Sequence, residues 1–178
     1  MSEFSESYHL ISESSQDAAD LLKRAGLKGY VYEPVNGWVT FLAEEGSFES
    51  DERIVAAAKH PLLHYVCAED HGCSIKLFHG AEVICAHSCD WNEDLTVDDS
   101  GYSRAALEEF LPTIHKDLLD NFERLSPPEG PDELFEEEPA KIFAKAVGLK
   151  HYEWLSYDYM ESNFHDSPQD YPGVKEVS

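Results

Sequence analysis

Basic residues are scarce in this chain. Thirteen Lys and Arg stand against 36 Asp and Glu, a formal net charge of −23 over 178 residues. Nucleic acids and anionic membranes are held by clustered Lys and Arg, so the balance argues against both as partners. It favours a basic protein, captured quickly and in a salt-dependent way. Glu outnumbers Asp 22 to 14, which gives no support to a salt-adapted surface. Long apolar runs are missing too, and none approaches the ~20 residues needed to cross a bilayer. The start, Met1-Ser2-Glu3-Phe4-Ser5-Glu6, has neither the basic residues nor the apolar stretch of a secretion signal. The expected setting is the cytosol, where thiols stay reduced.

Recognisable catalytic motifs are also lacking. No glycine-rich phosphate loop and no Gly-x-Ser-x-Gly elbow occurs. Asp70, His71 and Cys73 sit close together in sequence, but neighbours on one exposed turn rarely converge for nucleophilic chemistry. Asp90-Trp91-Asn92-Glu93-Asp94 begins like a calcium loop. Leu95 then stands where the turn glycine belongs, and Gly101 replaces the closing Glu. These absences lean against an enzyme.

What is present is enough apolar and aromatic material for a core, 42% and 12% of the residues. Tyr8 to Ile11 reads as a first strand. Ser14 or Ser15 then caps a helix through Ala18, Leu21, Leu22 and Ala25, which stops at Gly26. Two runs rich in aromatic and β-branched residues, 29–33 and 38–42, flank Asn36-Gly37, a pair suited to a tight hairpin. Ser50 opens a second helix through Ile54 and Val55 that ends before Pro61. Strands 62–68, 73–78 and 82–88 follow, joined by short turns. This is a ferredoxin-like βαββαβ order, extended to a mainly antiparallel sheet of about six strands and followed by C-terminal helices: an α+β fold.

The chain divides into an α+β sheet portion at 1–90, a helical extension at 91–165 packed on the sheet, and a polar tail at 166–178 expected to fray. Leu107, Phe110, Leu111, Ile114, Leu118, Phe122 and Leu125 form one helical stripe interrupted by Pro112. Ser126 to Pro131 reads as a linker, and a last helix is expected from about Pro139 to Gly148.

The segment Ile84-Cys85-Ala86-His87-Ser88-Cys89-Asp90 places two thiols and an imidazole at alternate positions. Closing the hairpins with a four-residue turn at 69–72 and a two-residue turn at 79–80 groups Cys73, Ile75 and Leu77 with Leu62, His64, Val66 and Ala68. The opposite face then carries Leu63, Tyr65, Cys67, Cys85, His87 and Cys89. Positions four apart on a strand lie ~13 Å apart, too far for Cys85 and Cys89 to share one ion with His87 at ~2.0–2.3 Å bonds. The cysteines therefore read first as soft packing residues, with no cofactor expected.

Three functional classes follow. The leading one is an acidic protein-binding module, such as an antitoxin- or immunity-type inhibitor of a basic enzyme, contacting its partner through Trp91, Asp94, Asp98 and Asp99. The alternatives are a small zinc enzyme built on Cys85, His87, Cys89 and His64, and a protein that self-associates through a sheet edge.

Overall fold

The structure, a computed structural model, describes residues 2–178. It is α+β, with one antiparallel sheet between two layers of helices. In chain order the elements are β1 (Phe4–Ile11), α1 (Ser15–Ala25), β2 (Gly29–Val31), β3 (Trp38–Ala43), α2 (Glu52–Ala57), β4 (Leu62–Ala68), β5 (Gly72–His79), β6 (Glu82–Asp90), β7 (Thr96–Asp98), α3 (Arg104–Phe110), α4 (Lys116–Arg124), α5 (Pro131–Glu137), α6 (Pro139–Ala146), α7 (Tyr157–Phe164) and β8 (Lys175–Val177). The strands lie in the order β7-β6-β5-β4-β1-β3-β2-β8.

The sheet thus has eight strands, not about six. The seventh comes from the acidic segment after Asp90, where Thr96, Val97 and Asp98 pair with Asp90, Cys89 and Ser88. The eighth comes from the tail expected to fray, since Lys175 and Val177 pair with Val31 and Gly29. Val177 buries its side chain beside α1, which repays the ordering of an otherwise polar tail.

Local chemistry explains most boundaries. Ser14 caps α1 by accepting the Gln16 amide, and Gly26 closes it in a left-handed conformation. Asn36 and Gly37 take φ of 55° and 81°, the paired positive angles of a tight hairpin turn. Pro112 divides the apolar stripe into α3 and α4. Two further prolines open helices at their first turn, Pro131 in α5 and Pro139 in α6.

One sheet face lies under α1 and α2, where Leu21, Leu22, Phe41, Ile54 and Leu62 pack. Beyond β4 this face is half-exposed, at Ser74, Lys76, Ala86 and Ser88. The other face lies under α3 to α6, around a Phe122–Phe143 edge contact with ring centroids 5.2 Å apart. Trp38 ties β3 to this second layer by donating its indole N–H to the Val147 carbonyl at 2.8 Å.

The β5 side chains lie on the face opposite to the one the hairpin arithmetic assigns. The β4–β5 turn has three residues, since Ala68 pairs with Gly72. The β5–β6 turn is Gly80-Ala81, and a bulge at Ile84 shifts the register between Leu77–Cys85 and Phe78–Val83. Each one-residue change reverses facing. Cys73, Ile75 and Leu77 therefore join Leu63, Tyr65, Cys67, Cys85, His87 and Cys89 under α3–α6. The two reversals cancel at β6, so only β5 is displaced.

His9 lies fully buried in β1, its Nε2 2.9 Å from Ser7 Oγ and its Nδ1 2.9 Å from Thr40 Oγ1. Burial, helped by His151 and His64, drives its pKa down to about 3. The unfolded chain titrates near pH ~6.5, so between these values the unfolded state binds more protons. His9 should therefore contribute its full stability above about pH 6.5 and lose it on acidification, at about 1.4 kcal/mol per pH unit. Urea unfolding at pH 7, 6, 5 and 4 should give a shallower fall for His9→Gln than for the parent chain. Parallel curves would show that His9 is not held neutral.

Candidate functional site

Trp91, just after β6, donates its indole N–H to the Glu69 carbonyl at 3.0 Å, which fixes the ring beside the β4–β5 turn. Phe135 of α5 meets it edge-on, with centroids 5.7 Å apart. Phe135 is 51% exposed, one of the few large apolar side chains that face solvent. Together these residues bound a cleft of about 120 Å³. Cys67 and Cys73 line it from the sheet, Leu134 from α5, and Glu138 to Lys141 from the start of α6.

The charged residues lining the cleft are Glu69, Glu138 and Lys141. Lys141 Nζ lies 2.7 Å from Glu138 Oε1, 3.3 Å from Glu3 Oε2 and 3.4 Å from Glu153 Oε1, so its charge is already answered, by Glu3 from inside and by Glu138 and Glu153 from the surface. Burial opposes the ammonium form, but the hydrogen bond to Glu138 and the Glu3 carboxylate outweigh it and hold the pKa above the ordinary lysine value. The exposed side of α5 adds Asp132, Glu136 and Glu137. The cleft is mainly apolar, with two acids, Glu69 and Glu138, and the paired Lys141 in its lining.

The four residues expected to meet a partner do not share one surface. Trp91 lines the cleft, and Asp94 is exposed on the loop between β6 and β7. Asp98 borders the groove on the other side of the sheet and uses its carboxylate to accept from the Ser100 amide and hydroxyl. Asp99 turns inward, taking His87 Nδ1 on one oxygen and the Ser126 hydroxyl on the other. His87 is buried against Phe122. The Asp99 carboxylate thus links β6 to the α4–α5 connection.

The four residues of the zinc alternative are also separated. Cys85, His87 and Cys89 point to the α3–α6 side along one extended strand. His64 lies on the α1–α2 side, stacked on Tyr8, with Nε2 3.0 Å from Glu6 Oε1. Its Nδ1 has no partner among the described residues. Cys85 Sγ accepts the Ser103 amide at 3.4 Å, at the start of α3.

Phe135, Leu134, Glu69 and Lys141 were missed from sequence. Gly130-Pro131 ahead of Leu134-Phe135 is the available signal, because a proline at the first turn starts a helix as readily as it extends a linker.

Fold and site together define an α+β protein with an acidic, aromatic-edged cleft between its sheet and its C-terminal helices. No family model, curated protein or solved structure matches the chain.

Thiol exposure gives a direct check of this region. Cys73, Cys85 and Cys89 are buried and Cys67 is half-buried. Burial also pushes the Cys67 thiol up to about 11, aided by Glu3. The thiolate is the reactive form, so Ellman's reagent should modify the native protein slowly at pH 7, at Cys67 first, and faster as pH rises. Four thiols should react in denaturant. Rapid native labelling of more than one thiol would contradict the packing.

Proposed function

We propose that this chain is an acidic protein-binding module that captures a basic partner at the Trp91–Phe135 cleft, in the manner of an antitoxin- or immunity-type inhibitor. The observation that carries the reading is the half-exposed Phe135, held edge-on to an anchored Trp91 at an apolar cleft that Glu69 and Glu138 line. An arginine or lysine of the partner can lay its charge against the aromatic faces and its head group against Glu69 or Glu138. The −23 charge accelerates the encounter, while the buried aromatic contact sets the dissociation rate. Of the four residues expected from sequence, Trp91 belongs to this surface, and Asp94 is exposed three residues along the same loop. Asp98 and Asp99 serve elsewhere.

A cytosolic setting, with reduced thiols, accords with this reading, and no helix among the described residues is long and apolar enough to cross a membrane. For the fold, the neighbour order β4-β1-β3-β2 supports reading the first six elements as ferredoxin-like. Self-association through a sheet edge would have to use β7 or β8, each three residues long, which leaves little backbone to pair.

The test is affinity capture at low salt from the source cells, followed by titration calorimetry with the purified basic protein recovered. Phe135→Ala should weaken binding at least tenfold, and Phe48→Ala, on the other side of the sheet, should leave it unchanged. Affinity should also fall as salt rises. Recovery of no basic protein, or equal effects of the two substitutions, would overturn the proposal.

A further inference from the structure

Three of the four cysteines stand in one row across the sheet. Cys67 on β4 pairs directly with Cys73 on β5, and Cys73 pairs directly with Cys89 on β6. All three side chains belong to the α3–α6 face, and Cys67 and Cys73 open onto the cleft. Cys85 lies farther along β6, where the Ser103 amide occupies its sulfur.

The spacing selects a coordination number. Directly opposed residues on neighbouring strands have Cβ atoms ~4.5–5.5 Å apart, near the ~4.6 Å that two metal–sulfur bonds of ~2.3 Å span end to end. Two facing thiolates of this pairing are therefore within reach of one two-coordinate ion. Zinc would require two more ligands at tetrahedral angles. No group of three or more His, Cys, Asp or Glu side chains is arranged to hold a metal among the described residues. Thiolate-rich sites with few ligands suit soft monovalent ions, copper(I) foremost.

We propose that the Cys67–Cys73–Cys89 row is a binding site for a soft monovalent metal ion of the copper(I) class, reached through the cleft. Two thiols and one such ion give a bis-thiolate complex of charge −1 and release two protons, with no change of oxidation state. Lys141 lines the cleft with Cys67, its ammonium paired with Glu3, Glu138 and Glu153. Cys73 is the shared ligand, because it faces both neighbours. This site is independent of the partner reading.

The experiment is titration of the reduced full chain with copper(I) in the presence of the competing chelator bicinchoninate, with proton release followed in weak buffer. The expected result is one copper retained per chain, two protons released, and a near-ultraviolet thiolate–copper absorption. Cys73→Ser and Cys73→Ala should each lose at least tenfold in affinity, with folding checked by circular dichroism. Cys85→Ser should bind as the parent does. The proposal fails if the parent chain surrenders its copper to the chelator, or if Cys85→Ser loses as much as the Cys73 variants. The parent titration decides the matter even if both Cys73 variants misfold.

Discussion

Strand β5 lies between β4 and β6, and its facing determines what the C-terminal helices rest upon. A strand offers only two settings, because successive side chains alternate between faces. With Cys73, Ile75 and Leu77 turned toward α3–α6, that layer meets a mainly apolar floor running from Leu63 to Cys89, in which His87 is the polar exception. The other setting would place Ser74 and Lys76 beneath Phe122 and Phe143 and bury an ammonium without a partner, which is costly. Burial on one face thus selects the register, and a short turn and a bulge are the adjustments that permit it. Gly72 is part of the same solution. A β-carbon there would stand 2.2 Å from the Cys89 carbonyl, so a side chain at this position would force β5 and β6 apart where their thiols meet.

Local patterns were readable wherever they decided structure alone. Asn36-Gly37 announced its hairpin, Ser14 and Gly26 bounded α1, and Pro112 separated α3 from α4. Turn length after Ala68 was not readable in that way, since three- and four-residue closures both accommodate Glu69-Asp70-His71-Gly72. Nor does sequence mark Ile84 as the bulged residue. Because these two ambiguities offset each other at β6, the face of Cys85, His87 and Cys89 was legible while that of Cys73 was not. The thiol row was invisible for this reason. Strand β8 was missed because its apolar contribution is a single residue, Val177, whose burial depends on a groove formed by distant elements. The cleft was missed because an acidic run containing Phe135 resembles a solvated linker until α5 is given a helix start.

The excess negative charge is distributed with some order. Where carboxylates enter the interior they are answered: Glu3 by Lys141 and the Ser5 hydroxyl, Glu6 by His64 and the Phe48 amide, Asp99 by His87 and Ser126. Breaking such a buried pair by removing one partner typically costs about 3–5 kcal/mol, far more than losing a surface pair. The remaining acids face water, several of them around the cleft. At the cleft, Glu138 pairs with Lys141 and Glu69 accepts the Glu3 amide, so a cation arriving from solvent would share these carboxylates with partners already in place.

The position of Glu3 has a further consequence. Its carboxylate accepts the Trp154 amide at 2.9 Å and its own amide reaches Glu69, while the neighbouring Ser5 hydroxyl accepts the Leu155 amide. The opening strand is thereby fastened to residues about 150 positions downstream, beyond the span of any local hairpin or helix. Distant closures of this kind lose chain entropy before they return any binding energy, which slows the search for the native state. This molecule should accordingly be a slow folder for its size, its first strand completed only once the region around Trp154 has arrived.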